Sequence, residues 1–320
     1  MTPQTVRTPL TLTFRTMEFK KHKTETPFIV NKNLGTALHI PPGHMTQTNA
    51  DGLPVVELTQ KQKYDFDRNG WLLVPGILAA EELAEAREFS IRLRDDPDSI
   101  PDHERCGIGG PLQRLADHPV VVGFLNEFLS YPPLASPECY GFRMEISDLI
   151  FKSAGSDKAE FRPQSGNGLF RMPGDSHLYR MIPGKAWSGL TRALWELSPV
   201  HKGDGTRFIS GSHKSTFPAP EKAREPEWSL WDTYECPAGS LILFTEAISY
   251  GASDWEDEQN DRIAVSNLYN TITTRWHHWL PDPKLIASMP PKRQALFREV
   301  HTEDNVVGGD YNEMTDPFMD

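Results

Sequence analysis

The chain has 320 residues, of which 38% are hydrophobic and 24% charged, and a formal net charge of −11. That length buries a sizeable core as one large domain or two small ones. No apolar run approaches the roughly 20 residues of a membrane helix, no apolar leader precedes a cleavage site, and acidity without a long basic run disfavours nucleic acid as a partner.

Residues 1–57 are rich in Thr, Pro and Lys, carry the breaker cluster Pro41-Pro42-Gly43, and read as an N-terminal extension. Thr59-Gln60-Lys61-Gln62 has the form of a capped helix start, and Gly70 is the matching stop. Residues 71–75 (WLLVP) form a short apolar run that suits a buried strand. Residues 79–93 predict an amphipathic helix with Leu83, Ala86, Phe89 and Leu93 near one face. Residues 118–129 predict another, striped by Val121, Phe124, Leu125 and Phe128. Beyond Tyr131-Pro132-Pro133 the texture changes to short apolar runs at 149–151, 190–197, 208–209, 241–244 and 263–269, each bounded by Gly, Pro, Asp or Asn. That is the pattern of a β sandwich or barrel. The expected architecture is therefore α+β and mainly β: an extension at 1–57, one domain at 58–280 and a polar, Pro-rich tail at 281–320. Three scattered cysteines, Cys106, Cys139 and Cys236, form no CxxC, which fits a reducing, cytoplasmic setting.

Three blocks, in order over roughly residues 58–275, carry a family resemblance. The first is Phe66-Asp67-Arg68-Asn69-Gly70-Trp71-Leu72-Leu73-Val74-Pro75 with the Glu81-Glu82-Leu83 helix behind it. The second is Gly205-Thr206-Arg207-Phe208-Ile209-Ser210-Gly211-Ser212-His213-Lys214, where Ser210 stands in a usual proline position. The third runs from Pro237-Ala238-Gly239-Ser240 through Phe244 to Ile248-Ser249-Tyr250-Gly251. Together they resemble the phytanoyl-CoA dioxygenase family. The resemblance implies a double-stranded β-helix, a jelly roll of the cupin kind, using non-haem Fe(II), 2-oxoglutarate and O2 on a free small-molecule substrate.

Such chemistry needs two histidines and a carboxylate on one face of the iron, with open positions for the keto acid and O2. The family supplies them as an early His-x-Asp and a late histidine, with a keto-acid arginine about twelve residues further on. Here Arg262 lies twelve positions after Tyr250, but Tyr250 stands where the late histidine belongs. The early His-x-Asp is absent; Asn167 falls near the histidine position in Ser165-Gly166-Asn167-Gly168-Leu169-Phe170. Asp175-Ser176-His177 is a reversed acid-x-His that can put both side chains on one strand face, or be a loop Asp capping a turn before a surface histidine. Tyr250 is either a tyrosinate ligand, a catalytic acid or a pocket tyrosine. Arg262 either binds a carboxylate or pairs with Glu246 or Asp261. Arg192 and Trp195, on the 190–197 strand, are candidate pocket residues. His213 reads as a turn residue and His201 as a loop residue. His277 and His278 are adjacent and cannot share one ion if they lie in a strand. His301-Thr302-Glu303 reads as tail surface.

Two ligand positions altered out of three leave alternatives open. The chain is a dioxygenase-like oxidoreductase with an altered iron site, a metal-free relative performing isomerisation or cyclisation, or a silent partner forming a dimer with an active homologue. No Gly-x-Ser-x-Gly, phosphate loop, His-Glu-x-x-His or dinucleotide fingerprint points elsewhere.

Overall fold

The computed structural model describes residues 45–130, 135–155, 161–164 and 177–300. Helix α1 (Gln60–Asn69) opens with the expected capping box: the Thr59 hydroxyl accepts from Gln62 N at 3.2 Å, and Gln62 Oε1 accepts from Thr59 N at 2.9 Å. It closes at Gly70, whose φ of +83° is the left-handed cap that only glycine adopts cheaply. The chain turns directly into strand β1 (Trp71–Val74). Helix α2 (Ala80–Asp95) buries Ala86 and Phe89. The single turn α3 (Gln113–Ala116) precedes helix α4 (Pro119–Phe128), whose stripe is buried as its sequence spacing predicts. Phe66 of α1 meets Phe124 edge-on at 4.6 Å and Phe128 at 4.5 Å, which locks the two helices together.

Strand β2 (Phe142–Lys152) follows, then the hairpin β3 (Arg180–Ile182) and β4 (Lys185–Trp187), then β5 (Thr191–Glu196) and β6 (Thr206–Ile209). Strands β7 (Ser240–Thr245), β8 (Ser249–Ala252) and β9 (Arg262–Thr271) complete the set. The main sheet is antiparallel in the order β1-β7-β5-β9-β2, and β6 pairs with β8 in a second, two-stranded sheet. No closed barrel is present among the described residues.

The main sheet divides two cores by simple alternation. Leu72, Ala193, Trp195, Leu241, Leu243, Ile263 and Val265 pack with the helices. Leu194, Ile242, Phe244 and Ala264 pack on the other side with Phe208 of β6, joined by Trp71, Leu73 and Tyr250. Every central strand is thus apolar on both faces, which explains why the sequence shows continuous apolar runs there instead of alternation.

The packed body passes both expected limits. Asn49 is buried and Ala50 N donates to Asp117 Oδ2 at 3.2 Å. Helices α5 (Pro283–Ser288) and α6 (Pro291–Gln294) each start with proline in the first turn, and Leu285, Leu296 and Phe297 are buried in the helical core. Arg293 joins the two ends by donating to Asp117 Oδ1 at 2.8 Å and to Asp51 Oδ2 at 2.6 Å. Pro283 and Pro291 of the Pro-rich segment are the first residues of these helices.

Candidate active site

Between the two sheets, beside the apolar cluster, lie two groups of similar composition, each an arginine, a glutamate and a tyrosine. Strand parity places them: Arg192 and Glu196 share the inner face of β5 with Leu194, and Arg262 shares the inner face of β9 with Ala264 and Ser266.

The first group is sealed. Arg262 Nε donates to Glu196 Oε2 at 3.1 Å, and Nη2 donates to Glu196 Oε1 at 2.5 Å and to Thr206 Oγ1 at 3.3 Å. The Tyr234 hydroxyl donates to the same Glu196 Oε1 at 2.6 Å. The ion-paired side chains are 2% and 0% exposed. Burial pulls the Arg262 pKa down, but Glu196 and Tyr234 outweigh it and leave it raised. Burial, then Glu196, pushes Tyr234 well above its ordinary value, so it remains a neutral donor. Neither carboxylate considered from the sequence is Arg262's partner: Asp261 accepts from Arg94 at 2.8 Å, and Glu246 belongs to the second group.

The second group is partly open. Arg192 donates from Nε to Glu246 Oε1 and from Nη1 to Ser266 Oγ at 2.8 Å, with Asp148 Oδ2 3.8 Å away. The Tyr250 hydroxyl lies 2.9 Å from Gln164 Oε1 and 3.0 and 3.1 Å from the two Glu246 oxygens. Its one hydrogen is divided among these acceptors. Glu246 is almost fully buried, whereas the Arg192 side chain is 19% exposed and Asp148 is 49% exposed. The group therefore sits between the core and solvent. Burial lowers the Arg192 pKa, and Glu246 and Tyr250 more than restore it, so the guanidinium stays charged. Glu246 is placed by the tight turn from β7 to β8, where Ala247 N donates to Thr245 Oγ1 at 3.2 Å and Ile248 N to Thr245 O at 3.1 Å. Tyr250 is placed by β8 and by an antiparallel bridge to Gln164, with main-chain bonds of 2.7 and 2.8 Å.

Of the residues singled out by sequence, Arg192 and Tyr250 are brought together and Arg262 lies in the sealed group. Trp195 does not line this space. Three positions from Arg192 on the same strand, it faces the helices and meets His118 edge-on at 5.1 Å. Asn167 and Asp175 lie outside the described residues, as does His301-Thr302-Glu303. His177 is fully buried with its ring edge-on to Trp276 at 4.3 Å. His213 is buried beneath Gly70, with Nε2 3.0 Å from Asp67 O. His201 is exposed, 3.5 Å from Asp257. His277 and His278 lie outside any strand; His277 N donates to Glu145 at 2.8 Å. Glu196, Tyr234 and Gln164 were missed from the sequence. For Glu196 a signal existed: a carboxylate two residues after Leu194, within an apolar strand run, demands a buried cation.

A cavity of about 910 Å³ lies elsewhere, between α1, α4 and the β3–β4 hairpin, lined by Lys63, Asp67, Glu127 and Lys185 among others. Lys63 Nζ lies 2.5 Å from Glu127 Oε2 and Asp67 pairs with Lys214 at 3.0 Å, and none of these charges belongs to the inter-sheet groups. The inter-sheet cluster carries the more specific chemistry.

No protein-family profile matches the chain, and no curated protein is similar to it in sequence. Solved structures do match. HygX from Streptomyces hygroscopicus with nickel and 2-oxoglutarate bound has a TM-score of 0.54 at 22% identity, covering 70% of this chain and 90% of that one. HygX with iron bound gives the same values. EctD from S. alaskensis in its apo form has a TM-score of 0.50 at 18% identity, covering 85% of this chain and 96% of that one. The likeness is one of fold. It covers 70–85% of this chain. Among the described residues, no group of three or more His, Cys, Asp or Glu side chains is placed to hold a metal ion.

Proposed function

We propose that the chain is a phytanoyl-CoA dioxygenase-type protein, its two facing sheets being the halves of a double-stranded β-helix. Its open Arg192–Glu246–Tyr250 group performs metal-free proton transfer on a free small molecule. The observation that carries this reading is the bonding of Tyr250. At the position where the resemblance expects a histidine ligand, the phenol is instead engaged by Glu246 and Gln164. Iron and 2-oxoglutarate do not fit the described residues: the late ligand position holds a hydrogen-bonded tyrosine, and the expected keto-acid arginine holds Glu196. HygX, solved with nickel, 2-oxoglutarate and hygromycin B bound, supports a small molecule as the ligand class.

The chemistry follows from the three side chains. Arg192 fixes Glu246, and Glu246 orients the Tyr250 hydroxyl. The phenol gives its proton to a ligand atom and recovers one from the ligand or from water, with the buried carboxylate stabilising the proton's return. The result is an isomerisation or cyclisation with no net oxidation, and it calls for no co-reactant. Asp148 at the rim adds negative charge, so the net charge of the open group favours a neutral or cationic ligand.

The test is incubation of the purified full chain with a metabolite extract in D2O, followed by mass spectrometry. Deuterium entering one compound, dependent on Tyr250 and unaffected by a chelator, is the expected result. A product heavier by one oxygen, dependent on iron and 2-oxoglutarate, would overturn the proposal in favour of an oxygenase with recruited ligands.

A further inference from the structure

We infer that Glu196 is a resident carboxylate that occupies the anion-binding face of Arg262, and that removing it opens a subsite for a small carboxylate. The inference goes beyond the proton-transfer reading, which concerns the other group. Arg262 presents two nitrogens to the two oxygens of Glu196, at 3.1 and 2.5 Å. This is the bidentate fork an arginine offers to a carboxylate ligand. Its remaining contact, Thr206 Oγ1, lies on the same Nη2. Tyr234 adds a donor to the same carboxylate. The site therefore has a carboxylate-binding arrangement of guanidinium plus phenol, with the carboxylate supplied by the chain itself.

The surrounding charge supports the same conclusion. Lys152 pairs across the ladder with Arg262 on the inner face, and its Nζ donates to Ser253 O at 2.8 Å. The cross-strand register sets the two cations side by side, and burial, then the Arg262 charge, lowers the Lys152 pKa. Without Glu196 this end of the inter-sheet space holds two cations and the Tyr234 donor. A free carboxylate of one or two carbons, the size of the group removed, restores both the charge and the hydrogen bonds. With Glu196 in place, an incoming carboxylate meets a neutral, fully bonded pair and gains nothing by displacing it.

The experiment is isothermal titration of acetate, succinate and 2-oxoglutarate into the full chain. Three proteins are compared: wild type, Glu196→Ser and the double variant Glu196→Ser/Arg262→Met. The wild type should give no heat attributable to Arg262. Glu196→Ser should bind acetate on the order of ten- to a hundredfold more tightly than the double variant, as a regained bidentate carboxylate contact implies, with succinate and 2-oxoglutarate excluded by size. If Glu196→Ser does not fold alone, refolding from urea with and without acetate replaces titration, and acetate-dependent recovery supports the inference. Wild-type binding of 2-oxoglutarate that disappears in Arg262→Met would overturn it, as would a Glu196→Ser protein with neither carboxylate binding nor acetate rescue. None of these readouts involves Tyr250, so their failure leaves the proton-transfer proposal standing on its own test.

Discussion

His213, in the Gly-Ser-His-Lys string, should make the protein acid-sensitive for a structural reason. The ring is 1% exposed, with Nε2 3.0 Å from the Asp67 carbonyl and the edge of Tyr179 at 4.6 Å. It lies so close under Gly70 that an added Cβ there would sit 2.5 Å from Nδ1. Burial, the leading cause, and the nearby Lys214 charge push its pKa down to about 4, against the partial support of the Asp67 carbonyl. An unfolded histidine titrates near 6.5. The sign follows: above about pH 6.5 the residue is neutral in both states and contributes no pH dependence. Between about 6.5 and 4 the unfolded chain takes up the proton first, so stability falls as pH falls. At pH 4.5 the separation of about 2 units amounts to roughly 2–3 kcal/mol. Urea unfolding of wild type and His213→Asn at pH 7 and pH 4.5 measures it. The variant is expected to be weaker at pH 7, by about 1–3 kcal/mol for the lost contacts. Its loss between the two pH values should be smaller than the wild type's by roughly 2–3 kcal/mol. Carboxylates titrate in both proteins and cancel in the comparison. Equal pH slopes would refute the reasoning.

Other outcomes follow from the same geometry. Arg262→Met should cost about 3–5 kcal/mol in chemical unfolding, because Glu196 is left buried and uncompensated; replacing both residues by apolar ones should recover most of that loss. Tyr250→Phe should abolish solvent-deuterium incorporation while changing stability by less than about 1.5 kcal/mol, since ring volume is kept; full retained incorporation would remove Tyr250 from the chemistry. Burial raises the Glu145 pKa, but the His277 side chain, the His277 N–H, Asn270 and Arg143 outweigh it and hold it down to about 2. Its contribution is therefore complete above about pH 4.5 and lost as pH falls towards 2, and Glu145→Gln should flatten the acid limb of the stability profile over that window.

The sequence made the local elements legible wherever a local rule governs them. Thr59, Gln62 and Gly70 bracket α1 because caps are satisfied by residues three or four positions away. The strands at 190–197, 241–244 and 263–269 were visible because apolar runs bounded by turn residues have few other uses. The candidate site was legible in part. Tyr250 and Arg192 were both singled out, but their association passes through Glu246, which is 54 positions from Arg192. Arg262 was left open between carboxylate binding and pairing with Glu246 or Asp261, and Glu196 stayed out of view for the same reason: it is 66 positions away, and the β5–β9 pairing brings the two together. Trp195 was placed on the wrong side because burial on both faces of β5 erases the alternation that separates inside from outside.

That alternation has an evolutionary meaning. On β5 the residues that contact the helices and those that face the second sheet are interleaved one by one, so either set can be replaced without touching the other. Ala193 and Trp195 are held by what the helices need, whereas Arg192, Leu194 and Glu196 answer only to what the inter-sheet space contains. A lineage can exchange one internal chemistry for another through substitutions at every second position, and the helical scaffold registers no change. A single-residue insertion in this strand has the opposite consequence. It would drive two charged side chains into the helical core and a tryptophan into the inter-sheet space, so descendants of this chain are free to vary in side chain along β5 but not in length.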